Sequence, residues 1–303
     1  MMHKPQTGEI IKNVMALVIL LTMSCQPVAQ TIDYFGQQEP GEIPEVFAPG
    51  LISLDDRYEF GSVFSKDGSE FFLGVEQPDG AEILYTQKVN DAWTDPVTII
   101  GDNTYGYNDP FLSPDEQQLY YISTRTSGEN DSSRDYDIWY SNREEDGWSD
   151  PINAGPMINS NRDEYYISFT KSGAMYFASN KADEKNFEIY KSEKVNGSYS
   201  EPVRLSEQVN TRSYEADVFV DPDEQYVIFC SRRTDGLGRG DLYVSFKNEK
   251  GQWTMAQSLG DKVNTKGHEL CPYVSPDGRF LFYTSNQDIY WVSMELVHKL
   301  KPS

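Results

Sequence analysis

Short apolar runs separated by polar turns fill most of the chain, and one arrangement of them recurs. A strand-like run leads into a tight polar turn and out into a second run, as in Phe64–Leu73 "FSKDGSEFFL", Leu112–Tyr121 "LSPDEQQLYY", Phe169–Ala178 "FTKSGAMYFA", Val220–Phe229 "VDPDEQYVIF" and Val274–Tyr283 "VSPDGRFLFY". Pro fixes φ and Gly accepts positive φ, so Ser-Pro-Asp-Gly between alternating apolar residues predicts a hairpin. From Asp67 to Asp115, Ser172, Asp223 and Asp277 the steps are 48, 57, 51 and 54 residues, far longer than a hairpin needs.

Each copy carries further parts in the same order. An acid opens a third run at Glu82 "EILYTQ", Asp137 "DIWYSN", Glu188 "EIYKSE", Asp241 "DLYVSF" and Asp288 "DIYWVS". A fourth run contains an aromatic residue: Trp93 in "AWTDPVTII", Trp148 in "GWSDPINAG", Tyr199 in "SYSEPVRLS" and Trp253 in "QWTMAQSLG". Four antiparallel strands every fifty residues or so predict an all-β fold, a five-bladed β-propeller of four-stranded antiparallel blades. The fifth unit lacks its fourth run, whereas "GEIPEVFAPGLIS" (Gly41–Ser53) is a strand-like segment with no unit of its own. Ring closure by Glu45–Ala48 is therefore expected, because it removes two exposed strand edges at once. The expected boundaries are residues 25–40 as a tether and 41–303 as the propeller, with blades near 54–101, 102–155, 156–206, 207–260 and 261–303 plus 41–53.

The N-terminus breaks this pattern. Lysines at positions 4 and 12 precede the apolar run Val14–Met23 and then "SCQP", the order of a secretory signal over residues 1–24. The run is short for a membrane span. Thr22–Cys25 resembles the lipobox of bacterial lipoproteins, in which Cys25 would be the lipidated residue; an ordinary signal cleaved after Ala29 is the alternative. Both readings predict export. Cys230 and Cys271 lie in strand-like runs and are expected as buried thiols, although an exported setting also permits a disulfide.

Composition narrows the function classes. With 303 residues, 38% hydrophobic and 13% aromatic, the chain can bury a substantial core. Its net charge of -22 argues against nucleic acid as a partner, because phosphate neutralisation needs clustered Lys and Arg.

The repeats resemble the TolB-like, WD-repeat-like propeller family of the bacterial envelope, through the Ser275–Gly278 turn and the Asp288–Tyr290 strand. The likeness runs from Asp56 to Ser293, with Lys171-Ser172-Gly173 as the largest departure. It implies a binding platform in the cell envelope and names no ligand.

Candidate chemistry lies where the repeat changes. Six residues before each turn stand Glu59, Tyr107, Glu164, Glu215 and Glu269, four of them acids near Arg57, Arg162, Arg212 and Lys266. Such a repeat suggests a structural ring of blade-to-blade ion pairs. Two residues further on stand Gly61, Asp109, Tyr166, Asp217 and Cys271. Asp109 and Asp217 could act as the paired carboxylates of a propeller-type glycoside hydrolase or polysaccharide lyase, or cap turns. His268-Glu269 lacks the second His of a zinc helix, Gly236–Asp241 opens no helix for a phosphate, and Glu129–Asp137 lacks EF-hand spacing, so no metal and no cofactor is expected. The links into the innermost strands and the loops 125–136 and 232–240 share one face, where Tyr105, Tyr107, Arg162, Arg212, Tyr214 and His268 are candidate binding residues. The expected function is binding of an envelope protein, peptide or glycan, with membrane attachment through the lipid anchor.

Overall fold

The computed structural model describes residues 32–126, 128, 135–183 and 186–302, together with Met1. The signal segment, Cys25 and most of the 125–136 loop lie outside the described residues. Residues 32–302 form a five-bladed all-β propeller.

Each blade starts with an innermost strand: Glu59–Phe64, Tyr107–Leu112, Glu164–Phe169, Glu215–Val220 and Leu270–Val274. The expected turns return the chain as Glu70–Val75, Gln118–Ser123, Met175–Asp183, Tyr226–Ser231 and Phe280–Ser285. The third strands are Glu82–Val89, Asp137–Glu144, Asn186–Ser192, Asp241–Phe246 and Asp288–Ser293. The turns owe their shape to a side-chain lock. In the first, Asp67 Oδ1 accepts the Ser65 hydroxyl at 2.8 Å and the Ser69 amide at 2.9 Å, and Ser275 and Asp277 repeat the arrangement.

The fourth strand is not one continuous run. In the first blade Ala92–Trp93 pairs with the tail of the third strand, and Val97–Ile100 pairs further in. Gly147–Trp148 and Ile152–Asn153 repeat the break in the second blade. Pro96 and Pro151 stand at the interruption, where a missing N–H ends the ladder.

Closure is as expected. Glu45 pairs with Trp291 and Val46 with Tyr290, and Phe47 N donates to Ile289 O at 2.8 Å. The tether, however, ends earlier than residue 40. Tyr34 is buried among Phe64, Phe280, Phe282 and Trp291 and donates to Asp277, while Phe35 stacks on Trp93 at 4.0 Å. Two aromatic residues in the segment make burial there more favourable than a solvated linker.

Neighbouring blades are stitched at the start of the innermost strands. Tyr107 N donates to Ala81 O, Glu164 N to Tyr136 O, Glu269 N to Gly240 O and Glu59 N to Gln287 O. Each bond carries an innermost strand onto the second-to-third loop of the blade before it. Cys230 and Cys271 are both free and buried. A single helical turn, Glu295–His298, follows the last strand. No helix among the described residues is long and apolar enough to cross a membrane.

Candidate functional site

Every innermost strand is broken at the same place. Its ladder shifts register between Phe60 and Ser62, Asn108 and Phe111, Tyr165 and Ser168, Ala216 and Phe219, and Leu270 and Tyr273. The residues inside the shifts, Gly61, Asp109, Tyr166, Asp217 and Cys271, all have φ between 50° and 54°. Bulges of this kind re-aim a side chain, and here they turn one position of each blade toward the propeller axis. Gly61 is required: a Cβ there would lie 2.8 Å from Asp109 Oδ1 and 3.2 Å from its Cα. Asp109 therefore leans into space that the first blade leaves empty.

The axial residue is itself the left-handed one, so simple strand alternation from the ring position two residues earlier does not decide where its side chain points. The four glutamates are fully buried and held within their own blades. Glu164 accepts the Ser160 amide and hydroxyl and the Ser179 hydroxyl; Glu215 accepts the same set from Thr211 and Ser231, and Glu269 from Thr265 and Ser285. Arg57 does pair with Glu59, at 2.6 Å, but the guanidinium nearest Glu215 is that of Arg233, at 3.7 Å, and Arg212 is exposed. The expected blade-to-blade ion pairs thus give way to hydroxyl and amide locks on the link before each strand. Burial raises the Glu164 carboxyl to about 7, although Ser160 and Ser179 oppose the shift.

Asp109 and Asp217 are each 8% exposed. Burial, and then the charge of Asp217, pushes the Asp109 carboxyl up to about 7, while burial raises Asp217 to about 6 against the Cys271 amide and the Arg232 charge. Cys271 Sγ sits 3.4 Å from Asp109 Oδ1, and its own thiol is raised well above the ordinary value by burial and the two acids. Tyr166, from the third blade, crosses the axis to donate to Pro272 O at 2.9 Å. Below it Phe111, Phe169, Phe219 and Tyr273 close the axis with ring centroids 5.9–6.5 Å apart. The two acids are therefore brought together, each of them nearly buried.

A cavity of about 620 Å³ does open on the opposite face, beneath that aromatic plug. Its walls are strand ends and turns, among them Phe64, Pro114, Thr170, Pro222 and Pro276. Its rim charges are partly matched, with Lys171 on Asp223 at 2.7 Å.

The loop face carries the other candidates unevenly. Tyr214 is half-buried, edge-on to Phe187 at 5.4 Å and covered by the Arg232 guanidinium at 4.4 Å. His268 bridges to Gly240 and places Nε2 3.5 Å from Cys230 Sγ; burial and the charges of Arg232 and Arg239 lower it to about 4, so the ring is neutral at pH 7. Tyr105 is half-buried beneath Arg125, 5.9 Å from its centroid, and Arg162 is half-buried with its amide on Ser160 Oγ. Tyr107 does not belong to this rim. It is 1% exposed, and its hydroxyl donates to Asp102 at 2.6 Å, where it fills the glutamate position of its blade.

Residues outside the sequence-derived set complete the mouth. Tyr58 occupies the same repeat column as Tyr214 and His268, just before the ring position, and it packs on Phe60 at 5.5 Å. Tyr136 and Tyr165 meet at 5.2 Å, and Tyr165 stacks on Phe187 at 4.7 Å. The charges of Asp109 and Asp217 raise the phenols of Tyr58 and Tyr165 further, beyond the larger effect of burial, which places these rings close over the acids. The repeat column is the signal that would have found Tyr58. Among the described residues no group of three acidic, His or Cys side chains is arranged to hold a metal ion.

No protein family and no curated protein sequence matches the chain. Its fold is similar to that of TolB from Acinetobacter baumannii, with a TM-score of 0.53 at 14% identity over 78% of this chain and 54% of that one. The chain thus corresponds to about half the length of that TolB structure. Lower similarity is found to a gluconolactonase from Xanthomonas campestris, with a TM-score of 0.47 at 12% identity over 84% of this chain and 97% of that one. A puromycin-hydrolyzing peptidase from Mycobacterium tuberculosis gives 0.46 at 13% identity over 78% and 36%. The TolB comparison supports the propeller fold.

Proposed function

We propose that this chain is an exported, lipid-anchored propeller that acts as a binding platform for a protein or peptide of the bacterial envelope. One observation carries the reading: tyrosines and arginines crowd the loop face, while the acids beneath them are closed in. Tyrosine rings beside exposed guanidinium groups, such as those of Arg212 and Arg232, are the composition of recognition surfaces. The likeness to TolB is consistent with an envelope setting, and Cys25 would supply the anchor.

An enzymatic reading keeps one point in its favour, the two neighbouring carboxyls raised to about 7 and about 6. A polysaccharide would need an open cleft at that pair, and Asp109 and Asp217 are each nearly buried.

The experiment is site-specific photocrosslinking in cells. A crosslinker at position 105, 212 or 266 is expected to give a discrete protein adduct, and one at 66 or 171, on the cavity face, is expected to give none. Absence of adducts from all five positions would remove the platform reading. Turnover of a polysaccharide by wild type that is lost in Asp109→Asn, with folding intact, would replace it with the enzyme.

A further inference from the structure

Most arginines of this acidic chain are matched by carboxylates: Arg57 by Glu59, Arg143 by Glu70, Arg204 by Glu188 and Arg279 by Glu39. Four cations of the fourth and fifth blades are different. Arg212, Arg232, Arg239 and Lys266 are all exposed, and among the described residues none of them makes an ion pair.

They belong to one patch. Arg212 stands two residues before Tyr214, whose carbonyl accepts the Arg232 amide at 3.0 Å and whose ring lies under the Arg232 guanidinium. Arg239 donates its amide to Gly267 O at 2.7 Å, which sets it beside Lys266. Gly238 lies so close to this link that a Cβ would fall 2.5 Å from the Thr265 and Gly267 carbonyls, so the 236–240 loop is pressed onto it. The charges of Arg232 and Arg239 both reach His268. Asp217, which feels the Arg232 charge, is nearly buried, and the acids of the loop itself are engaged. Asp241 accepts the Leu237 and Gly238 amides, and Asp235 accepts the Tyr243 hydroxyl.

We propose that Arg212, Arg232, Arg239 and Lys266 form a docking surface for an acidic, extended segment of a partner protein. The proposal rests on the platform reading and gives that partner its chemistry. A net charge of -22 repels anions at long range, so a local set of exposed cations without ion pairs is the place where a carboxylate-rich chain gains most. Arginine forks bind carboxylates in bidentate fashion, and the four cations are spread over three loop segments, which suits several carboxylates along a chain better than one point anion. Leu237, 53% exposed at the loop tip, adds an apolar contact between Arg232 and Arg239. A sugar ring would need a free aromatic face. Tyr214 is covered by Arg232, and Tyr165 and Phe187 are stacked on each other, so a peptide is favoured over a glycan.

The test uses the whole exported chain and three probes: a labelled glutamate-rich peptide of about ten residues containing one Leu, its Gln counterpart, and polygalacturonate. The glutamate peptide is expected to bind, and to weaken at least about tenfold as salt rises from about 20 to about 200 mM. The double variant Arg212→Glu/Arg239→Glu is expected to lose it, Arg232→Lys to weaken it, and Arg204→Ala, at a paired arginine, to leave it unchanged. Equal affinity in wild type and the double variant, equal binding of the Gln peptide, or tighter binding of polygalacturonate would overturn the proposal. Circular dichroism melting of each variant separates lost binding from lost folding. If the double variant keeps the crosslinked adducts at positions 105 and 266, this surface is wrong and the platform stands; if wild type gives no adducts, the platform itself falls.

Discussion

Asp109 and Asp217 show at the residue scale what the axial bulges cost and permit. Each carboxyl is aimed into a nearly closed space with few donors, so its charged form is disfavoured. The unfolded chain releases these protons at ordinary carboxylate pH, whereas the folded chain keeps them until about 6 and about 7. The native state thus binds more protons across that window. Its stability is full below the ordinary value and falls as pH rises through the raised ones. Thermal melting is expected to drop as pH is raised from about 5 to about 8, and Asp109→Asn, which cannot ionise, is expected to flatten the slope. A slope unchanged by that substitution would show that Asp109 is not the titrating group. Alternation alone could not reveal this arrangement. The sequence shows Asp109 and Asp217 as departures from their column, but the left-handed φ of Tyr166 and Cys271 is imposed by packing at the axis, not by local preference.

The link before each innermost strand is the element that proved least legible, although its signal was present. Asn159, Asn210 and Asn264 stand in "INSNRDE", "VNTRSYE" and "VNTKGHE", each followed by Ser or Thr and, four residues later, Glu. The Asn side chain pairs with both backbone groups of Ile138, Ile189 or Leu242, in the place a full fourth strand would take. The Ser or Thr hydroxyl then fastens the ring glutamate. Reading the acids with the nearest bases, and not with these hydroxyls, is what suggested ion pairs. Strands announce themselves by alternation and turns by Pro and Gly, but a side chain standing in for a strand has no period. Asn210→Ala leaves the Ile189 amide and carbonyl and the Leu205 carbonyl without that partner in a buried setting, and is expected to lower stability by about 2 kcal/mol in urea unfolding. A loss below about 0.5 kcal/mol would mean that water replaces the side chain.

For the whole molecule, the period near fifty residues and the spare strand at Glu45–Ala48 make the architecture readable from the sequence, because closing the ring is the simplest way to leave no open edge. The cavity under the aromatic plug was not readable, since its walls come from the innermost strands and turns of all five blades. Deletion of residues 32–50 removes both the closing strand and the Tyr34–Phe35 wedge. The product is expected to aggregate or melt well below wild type, and unchanged melting would make the segment dispensable. The proposed anchor is tested separately: wild type is expected to enter the detergent phase and take up labelled fatty acid, and Cys25→Ala to do neither. Equal labelling of both proteins would remove the anchor from the proposal.

Closure also sets an order of events. The contacts Glu45–Trp291 and Val46–Tyr290 join residues near opposite ends of the chain, whereas each complete blade is made from neighbouring segments. The entropy lost in closing a loop grows with its length, so blade formation can run ahead while the last ladder waits. Until it forms, the strand Asp288–Ser293 has one unpaired edge, open to any other extended chain. The final step of folding is therefore the one most exposed to competition between molecules, and its yield should depend on protein concentration even where the finished propeller is stable.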